Sequence, residues 1–354
     1  MRTLLGLAAL LLATTAHAGE VIVDFLDVGQ GDGILVRGGG KTVLIDAGTR
    51  KAKVAEQLAA LDVTSIDLAI TSHPHADHMG GMEDVVRTLP VGLYIDNGMT
   101  HTTQTYQRLM LAIEELGIPY RTGRTGLNIN MGDEASLRIL LPGDTLLRDT
   151  RSDLNSNSVV VVLTHGDMDF LFTGDAEMPT EGLITRQDLP SIDVLKVAHH
   201  GSEHSSSTSF LRTVRPPIAV ISAGEGNRYG HPDPEALERL HSAGALVYRT
   251  DQSGHIRAIS NGETVEVLEM GNLTGLTADP PAMTAAVERA GSTTVRTGPS
   301  QPAATQPAPL TPAVAPATTL NLSGVRQTEP EPELTPRQRR KLEKQRHRDA
   351  RRAR

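Results

Sequence analysis

The sequence predicts a layered α/β body with mixed sheets, and three observations carry that expectation. Short β-branched runs alternate with helical periodicity as far as Leu268. Glycine-marked turns join several of the runs as hairpins. Three apolar runs end abruptly in histidine or aspartate, and strand ends are where α/β folds carry their sites. Strands with helices interspersed in this order bury their faces as layers around one core.

In chain order, Val21–Leu26 and Ile34–Arg37 have strand composition, and Gly38-Gly39-Gly40 turns the chain into a third strand, Thr42–Ile45. Lys51–Leu61 has helical spacing, and Ile66–Ile70 is a short apolar strand. Tyr106, Leu109, Met110, Ile113 and Leu116 fall on one helical face, which Gly117 and Pro119 end. Ser158–Leu163 runs to a turn at His165-Gly166-Asp167 and returns through Asp169–Phe172. Ile192–Val197 and Ala219–Ser222 are further strands, and Pro234–His241 is a helix closed by Gly244. Ile256–Ile259 and Thr264–Leu268 form a last hairpin across Asn261-Gly262.

The ends of the chain differ from its body. Arg2, the apolar run Leu4–Ala13 and the small residues of Ala16-His17-Ala18 form a secretory signal pattern, with cleavage expected after Ala18. The run is well short of the roughly 20 residues a spanning helix needs. A periplasmic or secreted address with no transmembrane segment in the mature chain is therefore expected. Residues 19–278 would be the folded domain. Residues 279–336 hold 11 of the chain's 21 prolines, among Ala, Thr, Gln and Ser, the composition of a disordered linker. Residues 337–354 form a basic tail with ten Lys/Arg against two Asp/Glu, leaving 24 basic and 40 acidic residues elsewhere. Such a tail could contact an anionic surface or nucleic acid by charge.

The chain has no cysteine, so metal ligation falls to His, Asp and Glu. The strand Ile66–Ile70 runs into His73-Pro74-His75-Ala76-Asp77-His78, three histidines and a carboxylate within six residues. In an extended stretch His73 and His75 point to one side and can share an ion, while Asp77 and His78 can reach a second. Phe170–Thr173 leads to Gly174-Asp175, and Val194–Val197 leads to His199-His200-Gly201-Ser202.

This series resembles the metal-binding motifs of the metallo-β-lactamase superfamily, an αββα sandwich with its site along one edge between the sheets. The resemblance implies that Asp175 bridges two metals and that His199, with His200 as second candidate, completes the second one. Relatives often carry another histidine before the bridging aspartate. His101 and His165 occupy that interval, and both are expected to be solvated loop residues.

Further motifs narrow the resemblance. Asp27-Val28-Gly29-Gln30-Gly31-Asp32, Leu44–Gly48, Asp153–Ser158, Lys196–Ser202, Asn227–Pro232 and Thr250–Gly254 occur together. The set is similar to the competence-type branch, the soluble hydrolase domain of DNA-uptake channel proteins and its free-standing relatives, over about Val21 to Leu268.

That resemblance implies a phosphodiesterase or nuclease acting through water activated by two divalent ions, Zn or Mn, with Asp77 orienting the water. Asp46 would hold a ligand histidine in one tautomer, and Asn155, Asn157, Ser158 and His231 are candidate substrate contacts. Two other functions stay open: hydrolysis of a lactam, lactone or phosphocholine ester, and metal binding without catalysis.

Overall fold

The computed structural model describes residues 19–132, 135–273, 283–288 and 318–322. The proposed signal segment and the basic tail lie outside them. The first strands are β1 (Val21–Phe25), β2 (Gly33–Gly38), β3 (Lys41–Ala47), β4 (Ile66–Ile70), β5 (Val91–Asp96) and β6 (Tyr120–Thr122). Next come β7 (Leu127–Gly132), β8 (Ala135–Leu141), β9 (Val160–His165), β10 (Met168–Phe172), β11 (Val194–Lys196), β12 (Ile218–Ile221) and β13 (Leu246–Arg249). The last are β14 (His255–Ser260), β15 (Thr264–Gly271), β16 (Met283–Glu288) and β17 (Thr318–Asn321).

Among the described residues these make two mixed sheets, ordered β16-β15-β14-β1-β2-β3-β4-β5-β6 and β13-β12-β11-β10-β9-β8-β7-β17. Each sheet joins an antiparallel half to a parallel half. β1, β2 and β3 pair antiparallel while β3, β4, β5 and β6 are parallel, and β8–β9–β10 and β10–β13 repeat that division.

Both faces of the central strands are buried, so their sequences are nearly continuous apolar runs that a period of two divides between cores. In β9 and the residue before it, Val159, Val161 and Leu163 join the cluster between the sheets. Val160 and Val162 turn outward to a second cluster that includes Phe210 and Leu211 of the helix Thr208–Val214. On the first sheet Leu35 and Leu44 pack outward against Leu58 of the helix Val54–Ala60 and Leu109 of the helix Gln104–Leu116. The layers are therefore α/β/β/α.

Three expectations change. Lys51–Leu61 is not one helix: a 3-10 turn, Arg50–Ala52, precedes the α-helix Val54–Ala60, and Lys53 between them is left-handed at φ 54°. That break sets the helix so that Val54 and Leu58, four residues apart, both face the core. Two strands lie inside the stretch read as linker: β16 adds to the edge of one sheet and β17 pairs parallel with β7 on the other. Leu320 and Leu322 pack against the core there, a local apolar alternation hidden by the surrounding Pro and Ala. His165 is not a solvated loop residue. It ends β9, is buried, and its Nδ1 lies 2.9 Å from Ser260 Oγ because the turn after it packs on Gly262.

Candidate metal centre

The site lies where strand ends from both sheets meet. Asp46 comes from the end of β3, His73–His78 follows β4, Asp175 follows β10, and the pair His199-His200 follows β11. The loop between β1 and β2 closes one side through Asp32, whose N–H donates to Asp77 O at 3.1 Å. That approach requires Gly31: its φ is +139°, and a Cβ there would stand 2.1 Å from Asp77 O.

Two groups of ligand atoms result, His73 with His75 and Asp175, and Asp77 with His78 and His200. In the first, His73 Nε2 is 3.0 Å from His75 Nδ1 and 3.6 Å from Asp175 Oδ2. In the second, His200 Nε2 is 3.6 Å from Asp77 Oδ2 and from Asp175 Oδ1, and His78 Nε2 is 3.2 Å from the same Oδ1. One carboxylate oxygen of Asp175 thus faces each group. His78 Nε2, His200 Nε2 and Asp175 Oδ1 are buried without hydrogen-bond geometry to any partner. Buried polar atoms that converge unsatisfied are costly, and a cation at their common focus removes that cost. Histidine nitrogens and carboxylate oxygens without sulfur are a donor set for divalent metal ions.

Surrounding groups fix the rings. Asp46 Oδ2 lies 2.8 Å from His78 Nδ1 and accepts from Ser72 Oγ at 2.7 Å, while its Oδ1 accepts from Ser72 N at 2.7 Å. His200 Nδ1 lies 3.0 Å from Ser222 O, and a carbonyl can only accept. The proton belongs on Nδ1, and Nε2 is left for the site.

The histidine pair divides differently from the expectation that favoured His199. Residues 199 and 200 are both left-handed, at φ 51° and 57°. This turn swings His200 into the buried ligand group and leaves His199 outside it. His199 Nε2 lies 3.4 Å from Asn155 Nδ2 and 3.7 Å from Asp175 Oδ2, and its Nδ1 is 3.7 Å from Glu177.

The candidate substrate contacts also separate. Asn157 spends its amide inside the protein, donating to Leu147 O and Asp153 O and accepting from Leu147 N. Ser158 is buried, with its Oγ accepting from Asp175 N and 3.4 Å from His73 Nδ1. Both hold the site's frame instead of facing a substrate. Asn155 Oδ1 and His231 Nδ1 are buried without a hydrogen-bond partner. His101 stays in a loop with Nδ1 3.0 Å from Thr103 Oγ1, and its ring is 6.2 Å from that of His75.

Two neighbours of the ligand groups, Asp32 and Lys196, lie within the sequence motifs, which assign them no role. Lys196 is fully buried, and its Nζ meets Asp32 Oδ1 at 2.8 Å. A lysine at a strand end reads as a solvated residue, and only the fold turns it inward. Burial pushes the Asp32 carboxyl upward, but Lys196, His200 and His78 outweigh it and hold the group at about 2. Burial likewise opposes charge on His200, yet Asp175, Asp32 and Asp77 raise it to about 9. His78 is raised in the same way by Asp175 and Asp46 against its burial. His73 and His75 go the other way, because burial dominates and keeps them neutral. Asp175 is held well below the carboxylate range, its desolvation outweighed by the charges of His78, His200 and His199.

Histidines and carboxylates thus gather on strand-end loops between two mixed sheets with outer helices, as groups that could hold metal ions. The family model for the metallo-β-lactamase superfamily matches residues 26–225, and the chain belongs to that superfamily. Recombination protein 2 of Haemophilus influenzae is 35% identical over 66% of this chain and 28% of its own length. ComE operon protein 3 of Bacillus subtilis is 31% identical over 68% of this chain and 33% of its own. Competence protein ComA of Neisseria gonorrhoeae is 29% identical over 67% and 32%. The chain thus spans about a third or less of the curated relatives it matches. Among the described residues no helix is long and apolar enough to cross a membrane.

Proposed function

We propose that the chain is an exported phosphodiesterase or nuclease that uses two divalent ions, Zn or Mn. His73, His75 and Asp175 would hold one, and Asp77, His78, His200 and the other oxygen of Asp175 the second. The observation that carries the dinuclear reading is that the two oxygens of Asp175 face different ligand groups. The absence of cysteine suits Zn or Mn equally, and among the described residues no third histidine joins the first group, which favours Mn or loosely held Zn.

Such ions lower the pKa of water toward neutrality and polarise the scissile bond. The protein's own contribution is positioning. Asp77, whose side chain is 31% exposed and the most open carboxylate of the groups, orients the attacking water. His200 and His78 keep it ionised against its partial burial. Asp46 and Ser72 fix the ring of His78, and Ser222 that of His200. The preference for phosphodiesters rests on the recombination and competence names of the relatives. The basic tail is an accessory that brings the body to an anionic surface or nucleic acid.

Elemental analysis after metal loading should give close to two ions per mature chain, reduced by Asp175→Ala. The loaded enzyme should cleave single-stranded DNA with Mn present, and His75→Ala/Asp77→Ala should abolish cleavage. Intact nucleic acid beside rapid opening of a lactam or lactone would replace the phosphodiester reading. N-terminal sequencing of the exported chain should begin at Gly19.

A further inference from the structure

The motif Asn227–Pro232 has no part in the ligand groups, yet it lies against them. The ring of His231 is 5.7 Å from that of His199 and 6.4 Å from that of His200. Tyr229 continues the row outward, nearly parallel to His231 at 25° and 5.9 Å away. More than half of Tyr229 (53%) is exposed, and it is the one aromatic among the exposed large hydrophobics of the described residues. Arg228 sits over the Tyr229 ring at 4.8 Å and donates from Nη2 to its hydroxyl at 2.7 Å. It forms no ion pair with a carboxylate among the described residues, although Asp77 is close enough to act on its charge.

A single exposed aromatic is unremarkable by itself. This one stands on a loop that is built. Asn227 Nδ2 donates to Gly224 O at 2.9 Å and to His231 O at 2.5 Å, and Asn227 Oδ1 accepts from the backbone N–H groups of Tyr229 and His231. One buttressing amide therefore sets four backbone contacts. Gly201 then locks the loop to the histidine turn, since a Cβ there would come within 2.6 Å of Pro232 Cβ. The row of rings is fixed relative to the ligand groups.

We propose that Arg228, Tyr229 and His231 form a subsite for an unpaired nucleobase and the phosphate beside it, next to the scissile bond. This rests on the phosphodiesterase reading and deepens it to a substrate class, single-stranded nucleic acid. Aromatic rings stack on any base, and a guanidinium both stacks and takes a phosphate oxygen. A paired base within a duplex has both faces covered by its neighbours and offers no face to Tyr229. The exposed cation on this loop also counters, at short range, the acidic balance of the body.

The test compares three strands of one sequence with the metal-loaded wild type: single-stranded, duplex, and single-stranded with a run of abasic sites at the cut position. The single strand should show the lowest KM, and the abasic strand a KM about tenfold higher, within the range one stacked base contributes. Tyr229→Leu should raise the KM of the base-bearing strand toward that of the abasic one. Tyr229→Phe should preserve the difference, and Arg228→Met should flatten the salt dependence of KM. Base-bearing and abasic strands cleaved with one KM, with Tyr229→Leu without effect on it, overturn the subsite alone. Failure of the wild type to cleave any of the three strands overturns the phosphodiesterase reading and the subsite with it.

Discussion

Asp32 and Lys196 form an ion pair with side-chain exposures of 1% and 0%, between the β1–β2 loop and the end of β11. Removing one partner leaves the other charged, dry and unbalanced, which costs roughly 3–5 kcal/mol. Lys196→Met keeps the aliphatic length and removes the ammonium that donates to Val197 O at 2.9 Å. It leaves Asp32 facing only His200 and His78. Asp32→Asn keeps the shape and strands the ammonium. Each single variant should therefore lose about 3 kcal/mol or more in urea unfolding of the metal-loaded chain at neutral pH. The double variant has no unbalanced charge, so its loss should fall short of the sum of the singles by about 2 kcal/mol, well above the ~0.5 kcal/mol scatter of independent sites. The same cycle read by metal affinity should show Lys196→Met binding metal no more weakly than Asp32→Asn, because the lysine repels cations. Additive losses would refute the pair as a coupled unit and leave Lys196 as packing alone.

Three further outcomes follow from particular residues. Asp96 accepts from Tyr120 Oη at 2.6 Å and from Gly98 N at 2.7 Å, but its burial outweighs both and raises it from 3.8 to about 6. An acid with a raised folded pKa gives stability below its unfolded value that is lost as pH rises through 6. Asp96→Asn should therefore stabilise the protein above pH 6, by at most about 3 kcal/mol, and do little at pH 4; equal melting shifts at both pH values would refute this. Gly31→Ala places a methyl on Asp77 O, so it should lower both the melting temperature and the metal affinity, whereas Gly29→Ala, with open space around its Cβ, should disturb only the local backbone. Truncation after Leu322 should leave turnover of a small diester and the unfolding midpoint unchanged; truncation after Leu273 removes β16, β17 and the contacts of Leu320 and Leu322 and should lower stability by roughly 1–3 kcal/mol or more.

The strands that carry the site were legible because their sequences stop in chemistry. β4 runs from Ile66 to Ile70 as its composition indicates, and the β9–β10 hairpin turns at Gly166. β7 escaped although Leu127, Ile129 and Met131 are buried while Asn130 is exposed, a clean period of two; its asparagines resemble turn residues when no partner strand is known. β5 escaped because Pro90 and Gly92 interrupt its start. The choice between His199 and His200 lay beyond any pattern, since neighbouring residues on an irregular turn are separated only by backbone angles. Lys196 and Asp32 meet from opposite ends of the body, a contact that local composition does not encode.

The charge balance of the centre bears on the proposed function. Four carboxylates, Asp32, Asp46, Asp77 and Asp175, stand around it against one buried ammonium, Lys196, a net of −3 before any histidine is charged. While burial keeps His73 neutral, although it lies as close to Asp175 as His200 does, that excess raises His78 and His200. Protons there occupy the role of cations. Two divalent ions would displace them and carry the cluster from −3 to +1, which suits a singly charged diester and gives no special advantage to a neutral lactam. Metal uptake should then release protons from these two histidines. Release measured in weakly buffered solution near pH 7 should approach two per chain loaded. Uptake without release would show that the raised histidines are not ligands and would break the link between the charge of the centre and its metals.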